Sequence, residues 1–251
     1  MSNRLTCALL FALAAPLPAL AQSSLSDTPA LSKVDNNTGW SGSGEAGLAV
    51  SKGNTDNETF IGKLNFSYSD DQWRHVFGAA GQYAKDDGEE TARRYELFDT
   101  SGFRLTDRSY IWGSVRNERD HYTSYEYQWT TAAGYGYEAI KNDRQHLTLE
   151  IGGGYRWAKD QDVQVHHNES VGRGLVDYGL QLTPTTSLIN TLLVESGSDN
   201  TFVKNLFGLQ VAMSEKLALK AGLETRYNSD VEEGTKKTDN LTTVNVVYNF
   251  K

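Results

Sequence analysis

The chain has 251 residues, with 24 Lys and Arg against 32 Asp and Glu and a formal net charge of −8. That acidic balance, with no basic block in the sequence, argues against nucleic acid as a partner. The lone cysteine, Cys7, leaves no disulfide framework, and the length suits one large domain.

Residues 1–21 read as an export signal. Arg4 supplies a positive start, residues 5–20 are apolar and rich in Leu and Ala, and Ala19-Leu20-Ala21 is a small-x-small cleavage site with Gln22 as the expected mature N-terminus. Pro16 and Pro18 interrupt the stretch and a polar segment follows it, which disfavours a retained anchor. Cys7 lies too early for lipoprotein acylation, so the mature chain is expected to carry no cysteine. Loss of Arg4 moves the balance to 23 basic against 32 acidic residues, a net charge of −9. Residues 22–39 are polar, carry one Pro and have no periodicity; they read as a flexible periplasmic lead-in. No later run approaches eighteen apolar residues, so a helical span is excluded.

From Trp40 to Phe250 apolar and polar side chains alternate. In 146–158, Leu147, Leu149, Ile151, Gly153, Tyr155 and Trp157 fall on one side, while Thr148, Glu150, Gly152, Gly154 and Arg156 fall on the other. Twelve such segments are predicted: 40–51, 58–68, 73–84, 92–105, 109–119, 128–140, 146–158, 171–183, 187–195, 201–213, 217–227 and 239–250. Their connections alternate in length. Tight turns are expected at 69–72, 106–108, 141–145, 184–186 and 214–216, and mostly longer polar loops at 52–57, 85–91, 120–127, 159–170, 196–200 and 228–238. Short periplasmic turns alternating with longer outer loops mark an outer-membrane barrel. The expectation is an all-β, antiparallel up-and-down transmembrane barrel of about twelve strands over residues 40–251.

Aromatics gather at the segment ends. Trp40, Tyr68, Trp73, Tyr137, Tyr248 and Phe250 lie at turn ends; Tyr83, Trp129, Tyr155, Trp157 and Tyr227 lie at loop ends. They predict two interfacial girdles around an apolar band of Leu64, Phe77, Leu149, Ile151, Leu219 and Val246. Segments four, five and ten hold this phase poorly. Asp99 falls on the face that Tyr95, Leu97 and Phe103 make apolar, which predicts a bulge or a shifted phase.

Several features together resemble a known family. The first strand is Gly-rich and ends in Gly53-Asn54-Thr55-Asp56; Arg116-Asn117-Glu118-Arg119-Asp120 closes the fifth; Gly134-Tyr135-Gly136-Tyr137 lies in the sixth; Glu150 with Gly152-Gly153-Gly154-Tyr155-Arg156 lies in the seventh. In order and spacing these resemble the YdiY-like salt-induced outer-membrane proteins, a bacterial family of unknown function, over essentially all of the chain from Trp40. The resemblance implies an outer-membrane barrel without an assigned activity. Such barrels commonly end on the aromatic that here is Phe250, so the final Lys251 is a departure.

Catalytic motifs are weak. His121, Ser124 and Glu126 stand close in sequence and include a base, a nucleophile and an acid, yet a polar loop tip is the favoured explanation because no motif fixes their geometry. His75 shares a face with Trp73 and Phe77, as an interfacial ring would. His166-His167 lies near Asp160, Asp162 and Glu169, but adjacent histidines rarely point together, so no metal is expected. Gly152-Gly153-Gly154 precedes neither a helix nor a Lys-Ser pair and is no phosphate loop; on a strand face it either lets the wall curve or leaves room for long side chains opposite. Acidic loop residues such as Asp86, Asp87, Glu89, Glu90, Glu232 and Glu233 match no calcium loop.

The inward face carries the functional candidates. By parity it holds Lys63, Arg74, Arg94, Glu96, Arg104, Glu138, Glu150, Arg156, Glu195, Lys220, Glu224 and Arg226. Mixed signs either line a water path for small polar solutes or ions, or pair across the wall as a plug. The expected protein is therefore a narrow channel or an envelope-stability protein of the outer membrane, without enzymatic activity or cofactor. The alternatives are a lipid hydrolase and a plugged barrel that acts structurally or as a binder. Expected partners are the lipid bilayer, lipopolysaccharide and, during biogenesis, the barrel-assembly machinery; oligomeric state is left open.

Overall fold

The computed structural model describes residues 31, 38–51, 57–121, 125–160, 165–231 and 237–250. The expected signal, most of the lead-in, the Gly53–Asp56 motif, Ser124 and Lys251 lie outside them. The strands are β1 (Gly39–Ser51), β2 (Asn57–Ser69), β3 (Trp73–Asp86), β4 (Glu89–Arg104), β5 (Ser109–Asp120), β6 (Tyr125–Lys141), β7 (Gln145–Asp160), β8 (His166–Gln181), β9 (Thr186–Ser196), β10 (Thr201–Ala212), β11 (Leu217–Asn228) and β12 (Thr238–Phe250). Each pairs antiparallel with its sequence neighbours, and β12 returns to β1, so the sheet is a closed barrel. Closure leaves no unpaired edge, the condition for crossing hydrocarbon with strands. No described helix is long and apolar enough to cross a membrane.

Alternation sorts the two faces as the sequence suggests. On β7, Leu149, Ile151, Tyr155 and Trp157 are exposed on the outer wall, while Thr148, Glu150 and Arg156 are buried inside. Leu64, Phe77, Leu219 and Val246 join the exposed band. The interior is therefore the core of the molecule, and it is mostly polar. Its apolar parts are a cluster of Leu31, Val76, Phe98, Tyr110, Trp112 and Ala132, a smaller one of Leu175, Leu193 and Phe202, and a third of Ile61 and Ala80 with Leu241 against them. Leu31 belongs to the segment read as a lead-in; it is fully buried, and its carbonyl accepts a hydrogen bond from Arg74 at 3.4 Å.

Interior glycines make space for the aromatic part of this core. A Cβ built on Gly136 would enter the ring of Tyr110, and one on Gly152 would meet both Trp112 and the backbone of β6. The phenol and indole thus occupy space that side chains at these positions would fill.

Two expectations are corrected. The region 85–91, read as a longer loop, is a two-residue hairpin in which Asp87 (φ 49°) and Gly88 (φ 85°) both take left-handed backbone, and β3 and β4 run up to it. Asp-Gly is the sequence signal for such a turn. Strands β6, β7 and β8 likewise extend past their expected loop-side ends, because charged residues there stay in the ladder. Loop and turn lengths therefore differ less than the sequence suggests. The irregularity expected at Asp99 is absent: register runs unbroken through Phe77, Asp99 and Val115. Its carboxylate stays on the outer wall and accepts from the Ser101 hydroxyl at 3.3 Å. The β3–β4 shift lies at Ala84/Lys85 instead.

Candidate functional site

Inward-facing charge spans the loop-side half of the barrel from wall to wall. Near the loop end Arg94 pairs with Asp120 and stands 3.6 Å from Glu118. Glu118 in turn holds Arg116 at 3.0 Å and pairs with Arg226. Arg116 reaches Glu195 at 2.5 Å, and Arg156 lies 3.5 Å from the same carboxylate while holding Glu169 at 2.7 Å. Two guanidinium groups stand over the Phe202 ring, Arg226 at 4.9 Å and Arg116 at 5.3 Å from its centre.

The turn-side half has separate pairs. Glu150 accepts from the Tyr110 hydroxyl at 2.7 Å and from Arg173 at 2.9 Å, and Arg173 stacks 4.3 Å over Trp112. Arg74 holds Glu138 at 2.9 Å. Glu45 lies 3.2 Å from Lys220 and 3.9 Å from Lys63. Asp177 accepts from Thr191 at 2.6 Å. An unpaired charge would be costly here, and nearly every charge has an opposite neighbour.

Of the twelve candidates, Lys63, Arg74, Arg94, Glu96, Glu138, Glu150, Arg156, Glu195, Lys220, Glu224 and Arg226 are buried in the lumen. Arg104 sits half-buried at the turn-side end, beside Leu31. Sequence parity missed Glu45, Arg116, Glu118, Asp120, Glu169, Arg173, Asp177 and Lys204, which share the interior. The reason is local. On β5 the inward face begins with Tyr110 and Trp112, and on β8 Val171 and Leu175 point inward while Gly172 and Gly174 point out, so apolarity marks the wrong side. The motif Arg116–Asp120 carries the missed signal: its charges at 116, 118 and 120 share one parity.

Burial decides what this arrangement can do. Side chains around a water-filled pore keep accessible surface, whereas Glu96 is 1% and Arg94 2% exposed. Open space lies at the turn end, in a cavity of about 880 Å³ whose lining includes Glu45, Asn65, Arg144, His146, Lys216 and Lys220. At the loop-side end the Asp199 amide donates to Glu169 at 2.8 Å, and the buried Asn200 accepts from the Ser229 and Asp230 amides at 3.0 and 3.2 Å.

The set of His121, Ser124 and Glu126 does not come together as a described site. Ser124 lies outside the described residues, and Glu126 holds Lys159 at 2.7 Å. His167 bonds Asp160 at 2.9 Å, while His166 is exposed. Among the described residues no group of three or more His, Cys, Asp or Glu is placed to hold a metal ion. His75 stacks on Trp73 and bonds the Ser101 hydroxyl at 2.8 Å on the outer wall.

Comparison with known proteins agrees with the architecture. The family described as "Protein of unknown function, DUF481" matches residues 44–250. The uncharacterized protein YdiY of Escherichia coli (strain K12) is 26% identical over 226 residues, covering 89% of this chain and 87% of its own length. Among solved structures, the translocator domain of the autotransporter NalP from Neisseria meningitidis superposes with a TM-score of 0.50 at 13% identity, covering 87% of this chain and 90% of that domain. The porin NanC also gives a TM-score of 0.50 at 13% identity, over 84% of this chain and 99% of its own. At such identities the likeness is one of fold: a closed, antiparallel β-barrel of the kind these two outer-membrane proteins have.

Proposed function

Since the chain belongs to the DUF481 family of proteins of unknown function, we propose a role read from its own lumen: a non-conducting outer-membrane barrel that acts structurally in the envelope. The observation that carries this reading is the pair between Arg226 of β11 and Glu118 of β5, which joins opposite sides of the closed strand order. Glu195 of β9 adds links to Arg116 of β5 and Arg156 of β7. A solute path would have to pass through these bonds, each embedded where a charge without its partner is strongly disfavoured.

The narrow-channel reading ranks second. The turn-side cavity of about 880 Å³ favours it, because a solute could enter half of the lumen. A liposome-swelling assay separates the two. Proteoliposomes holding the purified barrel should not swell in small sugars or amino acids. Swelling at rates comparable to a porin control would overturn the closed-barrel role.

A further inference from the structure

Near the loop end a recess opens on the outer wall. It measures about 590 Å³ and is lined by Tyr95, Asn117, Arg119, Tyr127, Trp129 and Trp157 from β4 to β7. Register brings them together: Tyr95 is opposite Arg119, Arg119 opposite Tyr127, Asn117 opposite Trp129, and Trp129 opposite Trp157. The volume lies within the ~300–1,000 Å³ of small-molecule sites. An interfacial girdle accounts for the rings and for a cation at headgroup depth; what the recess adds is that Arg119 stands among the rings of Tyr95, Tyr127, Trp129 and Trp157.

Arg119 is about half exposed. It hydrogen-bonds Tyr95, and its nearest carboxylate, Glu126, is 3.7 Å away and already holds Lys159 at 2.7 Å. A guanidinium has five donors in a planar fork, more than one hydroxyl and one shared carboxylate engage. No acid lines the recess. Four residues nearer the turn end, Gly113, Ala133, Gly153 and Gly172 are successive register partners across β5 to β8. Outward from those glycines the space is open, with no non-adjacent atom closer than 3.7 Å to where a Cβ would stand. This small-residue row forms a smooth bed below the aromatic recess.

We propose that the recess binds the phosphorylated sugar headgroup of an anionic glycolipid in the leaflet at the loop end. Arg119 forks the phosphate oxygens, as its geometry suits. Trp129 and Trp157 lie against the sugar, and the acyl chains descend over the glycine row. The site lies on the outer wall and is independent of whether the lumen conducts.

Native mass spectrometry of the detergent-purified full-length barrel, with bisphosphorylated lipid A as probe, tests this. Wild type should retain one lipid A. Arg119→Ala and Trp129→Ala should weaken retention at least tenfold, and Arg119→Lys should fall between. Arg108→Ala, in a turn at the other end, should match wild type. Heat-shifted gel mobility establishes that each variant is folded. Fully dephosphorylated lipid A should bind wild type as poorly as lipid A binds Arg119→Ala. Unchanged affinity in Arg119→Ala, equal retention of phosphatidylglycerol, or displacement by equimolar inorganic phosphate would each overturn the assignment.

Discussion

Arg226 and Glu118 meet across the lumen from strands six places apart in the twelve-strand closed order. A ring of charge around a pore would leave these groups on opposite walls with water between them. Here they are in contact, buried, and tied to Arg94 and Arg116 through the same carboxylate. The consequence is mechanical: the interior braces the wall.

Neighbouring positions on β7 should respond for different reasons. Ile151 is 71% exposed in the apolar band, so Ile151→Arg places a charge in hydrocarbon and should cost about 2–4 kcal/mol. Glu150 accepts from both Tyr110 and Arg173, so Glu150→Gln should also destabilise, by about 1–3 kcal/mol, because a charged acceptor is lost from a buried network. Urea titration of folding into lipid vesicles reads both. A neutral Glu150→Gln would indicate a wet lumen at that level.

The contact between Gly136 and Tyr110 predicts a coupled pair. Gly136→Ala puts a methyl into a ring whose hydroxyl is anchored on Glu150, at an expected cost of about 1–3 kcal/mol. In the Tyr110→Ala background the same change should cost far less. A double-mutant cycle with no coupling energy would show that the two do not share the space.

Asp70 gives the β2–β3 turn a pH response. Its carboxylate accepts from the amides of Trp73 at 2.7 Å and Gln72 at 2.8 Å, and these bonds hold its pKa below the ordinary carboxylate value. A lowered folded-state pKa stabilises the turn fully above the ordinary value, and the contribution is lost as pH falls through the lowered one. NMR titration should find Asp70 ionising below an unstructured Asp, and Asp70→Asn should remove that pH dependence. An ordinary titration midpoint would contradict the capped turn.

The connection between Asn228 and Thr238 is the longest between strands, and we expect its end of the barrel to face outside. Tags inserted at Gln164 and Gly234 should be labelled on intact cells, and one at Pro184 should not. Labelling at Pro184 would invert the orientation.

The barrel was legible because the period-two pattern survives on most strands and because Trp73, Trp157 and Tyr248 stand at strand ends. Strand ends were harder to place. Polar residues such as Asp86 and Glu89 pair across a tight turn, and composition alone cannot separate a paired polar end from a loop. The interior was half legible for a related reason. The interior holds Trp112, Phe202 and Leu175 beside its charges, so polarity no longer identifies the inward face. Partners such as Arg226 and Glu118 are 108 residues apart in sequence, and only closure of the sheet brings them together.

Single-channel recording in planar bilayers, with thermal unfolding alongside, tests the closed lumen most directly. Wild type should be silent. Arg156→Glu combined with Arg226→Glu should lower the melting temperature, because breaking a buried pair costs about 3–5 kcal/mol. The contradicting result is a steady wild-type conductance that turns more cation-selective in the double variant while the melting temperature stays put. That outcome would make these side chains the lining of a water path.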